Sequence, residues 1–302
     1  MPSLPHDHDV RMARARLSLA GLSVGDALGE RFFGRDSVVE RAIAERAEPP
    51  TPWSWTDDTA MALSIVETLA NHGDIDPDFL ARRFARRYEL GPDRGYGGTA
   101  REILQDIASG KPWREVSAAV FGGEGSRGNG AAMRVAPIGA YFADDLPRAI
   151  EAARRSALPT HAHPDAQAGA IAVATAAALA WQMRAAPDGE RLLASTIDHT
   201  PAGLTRRGLV QALELRAQAV PGPAAAKTLG SGYRVLAWDT VPFALLCASR
   251  HLESYEAAFW ATVAGLGDRD TTCAMVGGVV AMAVGEAGIP ARWLAAREPL
   301  EP

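Results

Sequence analysis

Residues 54–63 read SWTDDTAMAL, with two adjacent carboxylates, Asp57 and Asp58, set between Thr56 and Thr59 just ahead of an apolar run. Helix capping explains part of this. A Thr or Asp side chain accepts hydrogen bonds from the first turn, and negative charge suits the helix dipole, but one such residue is enough. Far downstream, GLGDRDTTCAMVGGVVAMAVG repeats the grammar: Asp268 and Asp270 flank Arg269, and Thr271 and Thr272 lead into a run of small apolar residues. Either segment alone reads most simply as a cap. Two overloaded helix starts ask for a common cause. If they converge, four carboxylates share one pocket and must take up protons or cations. Four negative charges match two divalent ions. Carboxylate and threonine oxygens form the hard donor set that Mg²⁺ or Mn²⁺ prefers, unlike the nitrogen and sulfur ligands of zinc sites. Together the segments favour a binuclear metal site.

Three further stretches carry polar chemistry. GSRGNGAAMRVAPIG (125–139) is a small-residue loop followed by a helical pattern, an arrangement that can hold a phosphate on backbone N–H groups, although such loops often only turn the chain. GPDRGYGGTA (91–100) is a second glycine-rich turn, with Tyr96 able to stack on a ligand or, more simply, to pack in the core. LPTHAHPDAQAG (158–169) places His161 and His163 in a Pro-containing turn, where a structural role is the simpler reading and the spacing does not make a zinc site. Earlier, GLSVGDALGERFFG (21–34) sets Asp26 and Glu30 one helical turn apart, so both can face one cavity or a solvated face.

The elements that must position these residues are helical. Apolar residues recur at helical spacing over 11–28, 59–71, 78–88, 166–183 and 271–287, in alanine-rich stretches that favour helix. No Val/Ile/Thr alternation is sustained. The fold class expected is all-α: a compact orthogonal multi-helix bundle with its function on loops at helix ends. Residues 1–10 read as a flexible N-terminus, holding His6 and His8, and 11–302 as a single domain. AVPGPAAAKT (219–228) is too short a break to divide it.

Composition narrows the partners. The 302 residues are 47% hydrophobic and 22% charged, with a formal net charge of −5. An acidic balance opposes nucleic-acid or anionic-membrane partners, which are met by a positive field. The apolar runs fall short of the roughly 20 residues needed to cross a bilayer. No signal peptide opens the chain. Cys247 and Cys273 lie in apolar stretches, where buried reduced thiols are the usual state and a disulfide is the alternative. The expectation is a cytoplasmic monomer acting on small molecules or proteins.

In this order the segments resemble the ADP-ribosylglycohydrolase family, over nearly the whole chain. GDALG (25–29), WTDDT (55–59), RGYG (94–97), GNGAAMR (128–134), TH (160–161) and GDRDTT (267–272) look like its signature blocks. The resemblance implies an all-α fold with two Mg²⁺ or Mn²⁺ ions, and it puts Thr56, Asp57, Asp58, Asp268, Asp270 and Thr271 at the ligand positions. ADP-ribose would lie across the ions, with its diphosphate near Ser126, Gly128, Asn129 and Gly130, and with Gly95, Gly97 and His161 lining the cleft. The implied activity is metal-dependent hydrolysis at C1'' of the distal ribose, releasing ADP-ribose from a modified protein or small molecule. A non-hydrolytic binding protein is the alternative.

Two departures from the family pattern stand out. Many members carry a catalytic glutamate a few residues beyond GDALG. By spacing, Phe33 holds that place here, which leaves Glu30, with Asp57 and Asp58, as the catalytic carboxylates; Glu30 is expected to share a helix face with position 33. Arg269 stands between the last aspartates, where a smaller residue is common, and is expected to turn outward because cations would repel it.

Overall fold

The computed structural model describes residues 4–300. Its helices follow in the order α1 His8–Glu30, α2 Asp36–Ala44, α3 Asp57–His72, α4 Pro77–Leu90, α5 Gly98–Ala108, α6 Trp113–Ala119, α7 Gly130–Met133, α8 Ala136–Tyr141 and α9 Leu146–Ala157. Then come α10 Pro164–Gln182, α11 Gly189–His199, α12 Leu204–Ala217, α13 Gly222–Leu229, α14 Ala237–Arg250, α15 Tyr255–Val263, α16 Arg269–Val284 and α17 Ala291–Ala296. Among the described residues there is no strand, only the isolated bridges Trp53–Arg297 and Gly128–Leu236. The all-α expectation therefore holds. No described helix is long and apolar enough to cross a membrane.

Local sequence explains most helix ends. Thr56 caps α3, its side chain accepting from Asp58 N at 3.3 Å, and Gly73 closes that helix in the left-handed conformation at φ 63°. Asp76 caps α4 through Asp78 N and Phe79 N, with Pro77 at the first position. The alanine-rich α10 is buried on every side, as a helix that is apolar all round must be. Cys247 and Cys273 are buried free thiols.

Helical order starts inside the stretch expected to be a flexible end. α1 begins at His8, whose Nδ1 lies 2.8 Å from the Tyr141 hydroxyl, and Arg11 pairs with Asp7 at 2.8 Å. Those contacts hold the helix start against α8.

One helix pair decides where the chemistry sits. α1 and α16 run antiparallel with their backbones almost touching: a Cβ on Gly21 would lie 2.4 Å from Gly277 O, one on Gly25 2.1 Å from Cys273 O, and one on Gly29 2.6 Å from Arg269 O. Only residues without a Cβ permit such an approach. The Ser18 hydroxyl donates to Gly278 O at 2.9 Å and the Tyr255 hydroxyl to Gly21 O at 2.5 Å, which stitches the seam. The C-terminal end of α1 is thus pressed onto the N-terminal end of α16, and 240 residues of sequence separation collapse into one site.

Candidate functional site

Two acidic helix starts meet at this seam. Thr271 Oγ1, in the first turn of α16, stands 3.5 Å from Asp58 Oδ1, in the first turn of α3. Asp26, fully buried on α1, joins them by accepting from Thr56 N at 3.0 Å, Thr56 Oγ1 at 2.8 Å, Thr59 N at 3.1 Å and Thr59 Oγ1 at 2.5 Å. The α3 start is therefore hung from α1, and the α16 start is pressed on it by the glycine seam.

Capping does not account for the acids. The α3 cap is the Thr56 hydroxyl, and Asp268, at the N-cap position of α16, makes no side-chain cap bond. Burial and mutual repulsion instead set their state. Burial, then Asp26 and Asp268, raise Asp57 from 3.8 to about 7. Burial, then Asp270 and Asp26, push Asp58 well above the carboxylate range; Asp270 is pushed up by burial, then Asp268 and Asp26. Burial also raises Asp268 and Asp26, against the hydrogen bonds each receives. Such a cluster holds its full charge only with a counter-cation.

The donor set fits a hard divalent ion. Asp58 is 1% exposed, and its Oδ2 is buried without a hydrogen-bond partner, an arrangement that costs free energy unless another group satisfies it. Among the described residues no three His, Cys, Asp or Glu side chains are by themselves arranged to hold an ion. The Thr56 and Thr271 hydroxyls, at the same two helix starts, are further oxygen donors of the hard kind.

Several of the expected site residues also make contacts within the protein. Asn129, expected at the ligand, spends its amide protons on Asp268 Oδ2 at 2.7 Å and Thr240 Oγ1 at 3.1 Å. Its orientation follows from its neighbours, since Thr240 Oγ1 already donates to Leu236 O and so must accept. Asn129 therefore positions Asp268. Gly232 and Ser231 support the same residue: a Cβ on Gly232 would meet Asp268 Cβ at 2.4 Å, and Asp268 N donates to Ser231 O at 2.9 Å.

The 125–139 loop is also more occupied than a phosphate cradle. Gly128 N donates to Ser126 Oγ at 3.2 Å and Asn129 N to Val235 O at 3.1 Å. The helix that follows, α7, is a single turn, with little dipole to offer. Gly128 and Gly130 lack side chains because His161 fills the space: a Cβ at either would sit 3.2 Å from Nε2. His161 shares a 2.7 Å hydrogen bond with Thr160 Oγ1, and burial, then Arg134, lower its ring to about 3, so it stays neutral and packs the loop. Arg134 is itself fully buried, donating to Ser156 O and Thr160 Oγ1 at 2.9 Å.

The 94–97 turn is bound to the cluster, Asp57 N donating to Arg94 O at 2.8 Å. Tyr96 packs in the core at 4% exposure, while Cβ atoms at Gly95 and Gly97 would meet nothing within 4 Å. Those two glycines face open space. Glu30 ends α1 at the exposed rim, its carboxyl raised by partial burial, then Asp26. Phe33 lies beyond the helix end, so the expected shared helix face between 30 and 33 does not exist. Arg269 does not turn outward: it is 5% exposed, with its guanidinium 5.1 Å from the Phe33 ring centroid. The Phe33 ring is itself exposed and lies against the buried guanidinium as a cation–π partner.

Sequence reasoning passed over Asp26 as a site residue, took Arg134 only as the end of the GNGAAMR block, and missed Ser231 and Gly232 altogether. Asp26 had a signal, its one-turn spacing from Glu30. The others become visible only through contacts far apart in sequence.

Comparison with known proteins finds relatives over nearly the whole chain. A family model described as ADP-ribosylglycohydrolase matches residues 7–301. The chain is 31% identical over 320 residues to the ADP-ribosylhydrolase ARH3 of Xenopus tropicalis, covering 93% of this chain and 90% of that one. It is 31% identical over 324 residues to the protein of that name from Homo sapiens, covering 93% and 88%. A solved structure titled ADP-ribosylglycohydrolase-related protein complex superposes with a TM-score of 0.62 at 25% identity, covering 95% of this chain and 93% of that chain.

Proposed function

Since the chain belongs to the ADP-ribosylglycohydrolase family, we propose that it hydrolyses the bond between C1'' of ADP-ribose and an acceptor atom on a protein side chain or small molecule, as a metal-dependent enzyme. The observation that carries the metal reading is the buried, unsatisfied Asp58 Oδ2 within a cluster of mutually repelling carboxylates. Thr56, Asp57, Asp58, Asp268, Asp270 and Thr271 would hold two Mg²⁺ or Mn²⁺ ions. When bound, hard cations there would neutralise the carboxylates, orient the ribose hydroxyls and favour the more nucleophilic form of the attacking water.

The chain's own groups do the rest. Asp26 holds Thr56, and Asn129 holds Asp268, so both sides of the donor set keep their orientation. Gly95 and Gly97 leave room along the cleft, and the diphosphate lies beside Ser126 to Gly130, whose packing on His161 keeps that wall rigid. Glu30, raised and at the rim, takes a proton from the attacking water. The water oxygen bonds to C1'', the C1''–acceptor bond breaks with its electron pair on the acceptor, and the proton held by Glu30 passes to that acceptor.

Phe33, in the place where a family glutamate was expected, favours a second reading, a scaffold that binds ADP-ribose without cleaving it. Incubation with Mg²⁺ and arginine-linked, serine-linked and acetyl-ester conjugates of ADP-ribose, with products identified by mass, separates the two. Release of ADP-ribose from any of them supports the enzyme; tight binding with no release from all of them leaves the binding protein.

A further inference from the structure

His161 stands behind the 126–130 wall, 7% exposed, and its two ring nitrogens meet different surroundings. Nδ1 lies 2.7 Å from the Thr160 hydroxyl. Nε2 faces the loop, 3.2 Å from where a Cβ on Gly128 or on Gly130 would stand, and makes no hydrogen bond among the described residues. Which nitrogen carries the proton decides what the ring offers there. A proton on Nε2 makes it a donor, and a proton on Nδ1 leaves Nε2 a bare lone pair.

The neighbours decide between the two. Arg134 is fully buried, and a guanidinium can only donate. Its Nη2 gives hydrogen bonds to Ser156 O and to Thr160 Oγ1, both at 2.9 Å, so the Thr160 oxygen is an acceptor toward Arg134. Its third bond goes to Met61 Sδ, and among the described residues it forms no ion pair, so salt bridging does not explain its burial. The Thr160 proton then remains to be placed, and His161 Nδ1 is the acceptor the structure provides for it. A hydroxyl that accepts from a cation is polarised toward donating. Nδ1 therefore accepts and carries no proton. Burial, then the Arg134 charge, keep the ring neutral, so its single proton is on Nε2. We infer that Arg134 and Thr160 are positioning residues that lock His161 as the Nε2–H tautomer and so present a fixed hydrogen-bond donor to the cleft at Gly128 and Gly130. The acceptor this selects is an anionic oxygen such as a diphosphate carries, which the opposite tautomer would meet with a lone pair. A buried donor without an acceptor costs free energy, and such an oxygen removes that cost on binding. This use of the donor rests on the reading that ADP-ribose fills the cleft; the tautomer itself does not.

The test is the imidazole nitrogen NMR spectrum of the isotope-labelled, Mg²⁺-loaded protein, without and with ADP-ribose, in which protonated and bare ring nitrogens resonate far apart. The chain has seven histidines, and the His161 signals are those missing from His161→Gln. Wild type shows the proton on Nε2 before any ligand is added, and ADP-ribose shifts that nitrogen. Thr160→Val keeps the shape and removes the hydroxyl. It gives a mixture of the two tautomers and weakens ADP-ribose binding in calorimetric titration by about twofold to tenfold, between the share of the wrong tautomer and the loss of one hydrogen bond. Thr160→Ser restores both readouts. Arg134→Met, which leaves Thr160 Oγ1 free to accept from Nδ1, also gives the mixture; if that variant does not fold, the two Thr160 variants carry the test. A proton on Nδ1 in wild type, a Thr160→Val spectrum like that of wild type, or wild-type ADP-ribose affinity in a Thr160→Val protein whose tautomer has changed overturns the proposal. Wild type that holds the Nε2 proton and binds no ADP-ribose refutes the reading of the cleft and upholds the lock.

Discussion

Replacing Asp57 by Asn tests the acidic cluster most directly, because it removes one charge and keeps the shape. In the folded chain Asp57 is raised from 3.8 to about 7, by burial and then by Asp26 and Asp268. Between about pH 4 and 7 the folded protein therefore holds a proton that the unfolded chain has released, and stability falls as pH rises through that window. Above pH 7 the whole cost is present, at most roughly 4 kcal/mol and less once water and relaxation screen the charges. Without divalent ions, Asp57→Asn should thus melt several degrees above wild type at pH 8, at roughly 2 °C per kcal/mol for a chain of this size. The gain should shrink toward nothing near pH 4. Excess Mg²⁺ should reverse the order, since a ligand at 100 times its Kd stabilises wild type by about 2.7 kcal/mol and the variant, lacking a ligand residue, gains less. Melting curves at pH 4, 6 and 8, with EDTA and with Mg²⁺, provide the measurement. If Asp57→Asn is less stable than wild type at every pH in EDTA, and Mg²⁺ shifts both equally, the carboxylates are not a repelling cation site and the argument fails.

Other expectations follow from the same geometry. Glu30→Gln should lower turnover by about 10²–10⁴ while ADP-ribose and Mg²⁺ still bind, and near-normal rates would leave Glu30 a surface residue. Asn129→Ala, by freeing Asp268, should weaken Mg²⁺ binding by about 10–100-fold in calorimetric titration, and unchanged affinity would remove it from the site. Gly25→Ala puts a methyl group 2.1 Å from Cys273 O. It should cost about 1–3 kcal/mol in denaturant unfolding and also reduce Mg²⁺ affinity, since α16 must shift away from α1. Gly97→Ala adds a methyl group to open space at φ −62°. The melting temperature should hold while ADP-ribose binding weakens, and full binding would place the ligand elsewhere.

Much of the molecule was legible in its residues. Periodicity and alanine content mark the helices because a helix buries one face every 3.6 residues whatever it packs against. The two acidic starts stood out because a cap needs one acceptor and each start supplied more, and the structure makes the excess explicit by assigning the α3 cap to Thr56 alone. Cap chemistry and amphipathic spacing are local, carried by neighbours in sequence.

Convergence is not local. That Asp58 and Thr271 lie 3.5 Å apart is decided by Gly21, Gly25, Gly29 and Gly277, where two backbones meet over 240 residues of separation. The same holds for the partners that residue type alone does not disclose. At Gly128 and Gly130 the space a side chain would need is taken by the His161 ring, and the Asn129 amide donates to Asp268 and Thr240. Arg269 was expected outward on charge alone, and a buried place against Phe33 was available to it. A residue type states what chemistry a side chain can perform, but its partner is set by which distant surface packing delivers to it, and that belongs to the tertiary structure.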